Sequence, residues 1–505
     1  MIQRLFIANR GEIALRIART ARRNGMQVLG GFSSADSGLP HLRLCHRAVE
    51  LQGDPARVYL HIANIIDAAR SLNADAIHPG NGFLAENEEF AAAVEDAGMV
   101  FVGPTPAQIV ALGDKIEARL AAQRANVPIV PGDGQTIADL QSAERIAAVI
   151  KYPVLIKAAG GGGGRGMRVV EHPSQLGHAL SNAQAEAQSA FNDPRVFIEK
   201  YIPRARHVEI QIFGDGHGHA VSLGARECSV QRRHQKLIEE SSAPAVSAAV
   251  AHQMGELAAG LAASVKYRGA GTMEFIVPFG AQEFYFIEMN TRLQVEHPVT
   301  EMRTGLDLVE EQLAVASTGH FSKRLQAFKN LSVEARASSE RGHAIEARII
   351  AEDASAGFRP SCGKLEVVIW PSGPGIRVDA WAESGLTVTP LYDSLLGKVL
   401  AWGQDREEAI SRLELALHET VIHGVHTTAQ FLATVLAHPD FRAGAYDTSL
   451  IEQMNKTGAN KMARISEESV VLAAADRVSH SGSPLAAADF RGRELSIWQR
   501  AGRAE

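Results

Sequence analysis

Over the first 112 residues, short apolar runs alternate with stretches whose apolar positions recur every three or four residues. The runs at 5–8, 28–32, 48–51, 76–78 and 100–102 read as buried strands, and 12–23, 58–71 and 86–97 carry helical periodicity. In the first helix the stripe is Ile13, Ala14, Ile17, Ala18 and Ala21. Such alternation predicts an open, largely parallel sheet wrapped by helices. His78-Pro79-Gly80-Asn81-Gly82 is a turn cluster at the C-terminal end of a strand, where ligands of such sheets bind. Residues 113–132 read as a helical connector closed by Pro128 and Pro131-Gly132.

A smaller unit follows at 133–202, with a helix at 137–150, strands at 154–157, 167–170 and 196–199, and a helix at 174–190. Residues 203–454 open strand-rich, at 207–213, 220–223, 273–277 and 283–288, around an Ala-rich helix at 246–265. From 455 the chain turns polar and Ala/Ser-rich, a tail of unknown role with one helix expected at 466–477. The fold class is therefore α/β throughout. Six arginines and one acid in residues 1–25 faintly match a transit peptide, but the strand and helix pattern there predicts a fold that begins at residue 2 with no leader.

Composition narrows the function. At 46% apolar and 21% charged residues, the chain is ordinary globular protein rather than disordered. Lys and Arg number 51 against 57 Asp and Glu, a net charge of −6, so no global basic field exists for nucleic acid or an acidic membrane. No apolar run reaches the length of a membrane span, roughly 18 residues. Cys45, Cys228 and Cys362 are scattered without metal spacing, which fits a reducing, cytoplasmic setting.

Local chemistry is loudest after Lys157, where Gly160 to Gly164 are consecutive and Arg165-Gly166-Met167-Arg168 follow. Glycines let backbone N–H groups close on phosphate oxygens. A dinucleotide fingerprint needs a helix after the loop, and Met167 to Val170 is strand-like. A glycine-tipped hairpin flap over phosphates is the favoured reading; a plain surface loop is the alternative.

Two β-rich runs, Gly271 to Val277 and Glu283 to Asn290, are joined by Pro278 to Gln282. A turn centred on Ala281 puts Glu274 opposite Glu288, and directly opposed carboxylates about 5 Å apart at Cβ call for a cation between them. Oxygen ligands of this kind suit Mg²⁺ or Mn²⁺ shared with substrate phosphates. A turn displaced by one residue would instead send the two acids to opposite faces. If the chain stays extended, Glu288, Asn290, Arg292, Gln294 and Glu296 all project to one face, and His297-Pro298 breaks the run. That is an active-site wall with metal ligands, an oxyanion clamp and a base, or else a solvated edge strand. The basic segment Gln231-Arg232-Arg233-His234-Gln235-Lys236 reads as an anion site better than as a nucleic-acid patch. Cys228 beside it is more often structural than nucleophilic. His207, on an alternating strand, and Arg348 say nothing alone.

Together these segments strongly resemble biotin carboxylases, ATP-grasp enzymes that carboxylate biotin. The resemblance rests on Ile7 to Ala14, His78 to Leu84, Gly113-Asp114-Lys115, Lys157 to Arg168, Arg206 to Glu209, Gln231 to Lys236, Gly269 to Phe275 and Phe286 to Glu301, in family order across about residues 2–440. It implies an N-terminal open-sheet domain at 1–112, the connector at 113–132, an ATP-grasp lid subdomain with a mobile glycine-rich lid at 133–202, and the ATP-grasp core with the family's C-terminal domain at 203–454. It implies that Lys115, Lys157, Gly163, Gly164, Glu199, Lys200, Tyr201, Ile202, His207 and His234 bind ATP. Glu274, Glu288 and Asn290 would hold Mg²⁺ or Mn²⁺, the two glutamates touching the nucleotide as well. Lys236, Arg292 and the backbone of Val295 would bind bicarbonate, Glu296 would be the base, and Arg348 would stabilise the biotin enolate.

The activity implied is ATP- and bicarbonate-dependent carboxylation of biotin through carboxyphosphate, as the biotin carboxylase component of an acyl-CoA carboxylase built from several polypeptides. No Met-Lys-Met biotinylation motif occurs, so biotin is expected on a separate carrier protein. A carboxyltransferase is the second partner expected, and a homodimer is the family's state. Three departures stand out: Asn81 where the family has Tyr, Cys362 in place of Pro in a Ser-Pro-Gly turn, and Thr428 where the pattern ends in Asn. Another ATP-grasp ligase and a silent ATP-binding scaffold remain as alternatives.

Overall fold

The computed structural model describes residues 2–457 apart from 138, 161–165, 333–334 and 337–339, all within one compact unit. The expected helix at 466–477 and the glycine run from Gly161, with Gly163 and Gly164, lie outside the described residues.

Strands Arg4–Ile7, Gln27–Phe32, Arg47–Glu50, Ala76–His78 and Val100–Phe101 form one five-stranded sheet. All four pairings are parallel, and the first strand lies between the second and the fourth. The buried stripe Ile13, Ala14, Ile17, Ala18 and Ala21 of helix Gly11–Arg23 packs into a core with Leu5, Ile7 and Val28. At the end of Ala76–His78 the chain turns under Asn9, whose Nδ2 donates to the carbonyls of Pro79 at 2.7 Å and Asn81 at 2.8 Å. Gly80 turns there with φ +67°, and a Cβ would stand 2.8 Å from that same Nδ2. Only glycine lets the asparagine close on the turn.

A three-stranded antiparallel sheet follows, with Val154–Ala158 between Arg168–Val170 and Val196–Lys200. Helices Leu140–Ile150 and Leu176–Phe191 bury Ala143, Ala147, Leu176 and Leu180 in its core.

The largest sheet is antiparallel throughout and has eight strands: Tyr285–Asn290, Arg268–Pro278, Ala205–Asp215, Ala220–Arg232, Gln235–Ser241, His343–Ile350, Leu395–Gly403 and Ile376–Ala380, in that spatial order. The strand expected at 220–223 runs on to Arg232, so the basic segment is a hairpin tip. Arg232 pairs with Gln235, and Arg233 and His234 both take positive φ, 49° and 67°. Two left-handed residues match the twist of a two-residue hairpin, and they need not be glycine when side-chain chemistry is required there.

Expected and observed elements part company after Asn290. The strand ends there, and 291–296 is irregular rather than extended. Pro298 does not merely break the run; it sits in the first turn of helix His297–Thr304, where a missing N–H costs nothing.

Glu240, fully buried in Gln235–Ser241, accepts from His343 Nε2 at 2.6 Å, from Arg406 Nε at 2.7 Å and from Tyr446. Burial pushes its carboxyl up, but His343 and Arg406 outweigh this and hold it at about 2, below the usual 4.5. Its stabilising contribution is therefore present above pH 4.5 and lost as the pH falls toward 2. Glu240→Gln should destabilise the fold by about 3–5 kcal/mol at neutral pH by leaving the Arg406 guanidinium without its buried carboxylate. Much less of that difference should remain near pH 3; thermal melts of both proteins at the two pH values check this. No described helix is long and apolar enough to cross a membrane.

Candidate functional site

A cavity of about 1100 Å³ opens between the three-stranded sheet and the eight-stranded one. Every described residue assigned above a ligand or catalytic role lines it. Lys115, Lys157 and the Glu199 to Ile202 stretch lie on one side; His207, His234 and Lys236 come from the central strands. Glu274, Glu288 and Asn290 come from the acidic hairpin, and Arg292, Val295, Glu296 and Arg348 close the far end. Asn81 is not among the lining residues.

Glu274 and Glu288 are direct cross-strand partners, as expected, although next to the turn Ile276 faces Tyr285 and Phe275 faces Phe286, and a bulge at Ile287 brings Glu288 opposite Glu274. Glu288 lies 3.1 Å from Lys115 Nζ. Glu274 is shared among donors: Lys236 Nζ at 3.0 Å, Asn290 Nδ2 at 2.9 Å and Gln294 Nε2 at 3.1 Å reach Oε1, and His207 Nε2 lies 2.8 Å from Oε2. Burial pushes His207 down, but the Glu274 carboxylate outweighs it and raises the ring above its usual range. In return Lys236 and His207 overcome the burial of Glu274 and hold it well below the carboxylate range. His234 is pushed down by burial and by the cations His207 and Lys157.

The three carboxylates of Glu209, Glu274 and Glu296 meet at Lys236, whose Nζ is 2.6, 3.0 and 2.6 Å from them. This buried acid cluster already contains its cation, the ammonium. The oxygen-only donors Glu274, Glu288 and Asn290, at the rim of the cluster, fit Mg²⁺ or Mn²⁺ better than its interior does. Glu296 also takes Arg348 Nη2 at 2.9 Å. Burial pushes Glu296 up, yet Lys236, Arg348 and Arg226 keep it well below the usual range, so it is ionised at neutral pH. Beneath it Cys228 is fully buried and its thiol is pushed far above the usual range by burial, which removes it as a nucleophile.

The expected one-faced extended run from Glu288 to Glu296 is corrected in its geometry. All five of its polar residues reach the cavity, but so does Val295, which strict alternation would send away. The irregular backbone of 291–296 brings neighbours of both parities to one side.

Several contributors escaped sequence reading. Glu86 accepts from Arg292 Nε at 2.8 Å and from the Thr291 N–H at 3.0 Å, across more than 200 residues. Arg226, fully buried, donates to Glu209 and to Gln211 at 2.6 Å, and so orients the acid that faces Lys236. Glu239 takes Arg348 Nε at 2.6 Å. Leu155, Ile276, Ile287 and Ile451 supply an apolar wall. Strand alternation could hint at Arg226, Glu239, Leu155, Ile276 and Ile287 but cannot name a partner on a distant strand, and Glu86, in a turn, and Ile451, on a helix, gave no such signal.

Two sheets facing across a cavity that carries lysines on one wall and a glutamate hairpin on the other define an ATP-grasp enzyme. Family models agree: "Biotin carboxylase, N-terminal domain" matches residues 1–109, "Carbamoyl-phosphate synthase L chain, ATP binding domain" matches 114–324, and "Biotin carboxylase C-terminal domain" matches 346–453. Biotin carboxylase 1 of Bacillus subtilis is 44% identical over 91% of this chain and 100% of its own. A pyruvate carboxylase subunit of Methanothermobacter thermautotrophicus is 42% identical over 93% of both chains. Among solved structures, the Hydrogenobacter thermophilus 2-oxoglutarate carboxylase biotin carboxylase domain dimer, in complex with MgADP, ADP and bicarbonate, superposes with TM-score 0.87 at 39% identity, covering 92% of this chain and 100% of that one. The Campylobacter jejuni biotin carboxylase β-γ-ATP complex gives 0.85 at 41%, covering 90% and 99%. The chain belongs to the biotin carboxylase family and is a biotin carboxylase enzyme.

Proposed function

We propose that this enzyme carboxylates biotin on a separate carrier protein, through carboxyphosphate, as the biotin carboxylase component of a multi-subunit carboxylase whose acceptor is an acyl-CoA. One observation carries the site assignment: Lys236 bridges the hairpin acid Glu274 to Glu296, and Glu296 in turn meets Arg348, all in the cavity that Lys115 and Lys157 also line. A phosphate-binding end and an acid–base end thus share one space. On this reading residues 1–112, 113–132, 133–202 and 203–454 are the N-terminal domain, connector, lid subdomain and core with C-terminal domain, while 455–505 have no assigned role.

The cavity volume and its apolar wall suit a nucleotide base, and the lysines and histidines suit its phosphates. Lys115, Lys157, Glu199 to Ile202, His207 and His234 bind ATP, with Glu274, Glu288 and Asn290 on its divalent cations. Those cations supply charge neutralisation for phosphoryl transfer. Lys236, Arg292 and the Val295 N–H hold bicarbonate, and Glu296 takes its proton as its oxygen attacks the γ-phosphorus and ADP leaves. Carboxyphosphate then collapses to CO₂ and phosphate; the phosphate removes the ureido proton of biotin, Arg348 steadies the resulting negative oxygen, and the ureido nitrogen adds to CO₂ to give carboxybiotin. The partners are the biotinylated carrier and a carboxyltransferase. The enzyme is a homodimer and works in the cytoplasm. The pyruvate and 2-oxoglutarate carboxylase names among the relatives support a second reading, in which the final acceptor is a 2-oxo acid.

The test is ADP release by the purified chain with ATP, Mg²⁺, bicarbonate and free biotin. Release that ignores bicarbonate points to another ATP-grasp ligase, and no release points to a scaffold; either overturns the proposal. Asn81, whose carbonyl is held by Asn9, is the position where the family resemblance leads one to expect Tyr. Asn81→Tyr should shift the KM for biotin while leaving that for ATP alone, and an unchanged biotin KM would make the departure neutral.

A further inference from the structure

Two peptide groups flank Val295, and a buried side chain holds each from behind. The Gln294 carbonyl accepts from His297 Nδ1 at 2.7 Å. A carbonyl oxygen has only lone pairs, so Nδ1 carries the proton. Burial, with Lys398 and Arg16 nearby, pushes His297 well below its usual range, so the ring is neutral and its Nε2 is bare. On the other side the Val295 carbonyl accepts from Lys398 Nζ at 2.7 Å.

Both holders are fully buried and come from separate elements. His297 opens helix His297–Thr304, and Lys398 sits in Leu395–Gly403, in register with Arg348 on one neighbouring strand and Asp379 on the other. Burying a lysine carries a desolvation cost of several kcal/mol, normally met by a full carboxylate partner. Here Glu12 Oε1 is 3.4 Å away, and both oxygens of the buried Glu346 on the adjacent strand lack a hydrogen-bond partner among the described residues. The ammonium thus ion-pairs Glu12 and, at the shorter distance, donates to the Val295 carbonyl as well.

The two peptides are trans, and a trans peptide sends its C=O and N–H in opposite directions. With the Gln294 carbonyl turned to His297, the Val295 N–H points away from it. With the Val295 carbonyl turned to Lys398, the Glu296 N–H points away as well. Both residues line the cavity, and among the described residues no group accepts from either N–H.

We propose that His297 and Lys398 are positioning residues for bicarbonate: they rotate the two peptide planes around Val295 so that the N–H groups of Val295 and Glu296 face the anion. The assignment rests on the bicarbonate reading given above and extends it to two residues that never touch the substrate.

Steady-state kinetics of the full chain test it. Lys398→Met and His297→Phe should each raise the KM for bicarbonate about tenfold, the scale of one misaligned hydrogen bond to a charged group, with the KM for ATP within about twofold. His297→Asn keeps a donor where Nδ1 stands and should recover most of the bicarbonate KM; a merely structural histidine would show no such rescue. Folded Lys398→Met and His297→Phe proteins with an unaltered bicarbonate KM would overturn the proposal. Arg292→Ala runs alongside: if it too leaves the bicarbonate KM unchanged, the underlying site reading has failed rather than the clamp. Should the apolar variants not fold, hydrogen–deuterium exchange of the wild type decides. Bicarbonate with MgADP should slow exchange at the Val295 and Glu296 amides, and exchange that bicarbonate leaves untouched overturns the clamp.

Discussion

Lys236→Met is expected to lower bicarbonate-dependent biotin carboxylation by roughly 10²–10³-fold, the loss typical when a preorganised charge is removed from where negative charge develops. The side chain is nearly isosteric, so the change removes a charge and little volume. What remains is three carboxylates, Glu209, Glu274 and Glu296, that had all been within 3.0 Å of one ammonium. Uncompensated buried charge destabilises by about 3–5 kcal/mol, so the variant should also melt earlier. The two effects separate in the double variant Lys236→Met with Glu296→Gln. Removing one of the stranded charges should restore part of the stability and none of the activity. Thermal melts and ADP-release assays on the four proteins of the cycle read this directly. Near-normal turnover in Lys236→Met would show that the bicarbonate site lies elsewhere.

Glu296→Gln should lower kcat by about 10²–10⁴-fold, the usual worth of a general base, with the KM for ATP little changed. The amide keeps the shape and can still accept from Arg348, so folding should survive. Lys236, Arg348 and Arg226 hold the Glu296 carboxyl far below its usual 4.5 despite burial, so the base is ionised throughout the neutral range. A depressed carboxyl contributes stability above its unfolded pKa and loses it as the pH falls. Below about pH 4.5 the wild type should therefore lose stability more steeply than Glu296→Gln, and melts taken from pH 6 downward check this. A full-rate Glu296→Gln enzyme would move the base to another residue.

Sequence reading reached far wherever the deciding interactions are close in the chain. The five parallel strands of the N-terminal sheet follow from short apolar runs separated by helical stripes, and each observed strand lies within a residue or so of its expected place. The acidic hairpin and the pairing of Glu274 with Glu288 are also as expected, but the pairing is reached through a bulge at Ile287 that counting across the turn does not foresee. Reading failed at 291–296, where polar alternation imitates a strand but the backbone leaves the sheet at Asn290. There the distant groups Glu86 and Lys398, with the neighbouring His297, bind the backbone or Arg292, and their hydrogen bonds replace those of a ladder.

By itself, then, the sequence determined the α/β class, the acidic hairpin, and the residue types offered to nucleotide, cation and anion, because periodicity and the presence of a turn are local properties. Only the tertiary structure decided which charges neutralise which: that Lys236 is surrounded by Glu209, Glu274 and Glu296, that Arg292 leans on Glu86, and that Arg348 bridges Glu239 and Glu296. Those partners come from different strands and loops, and a carboxylate's protonation depends on the charges within a few ångströms, wherever in the chain they originate.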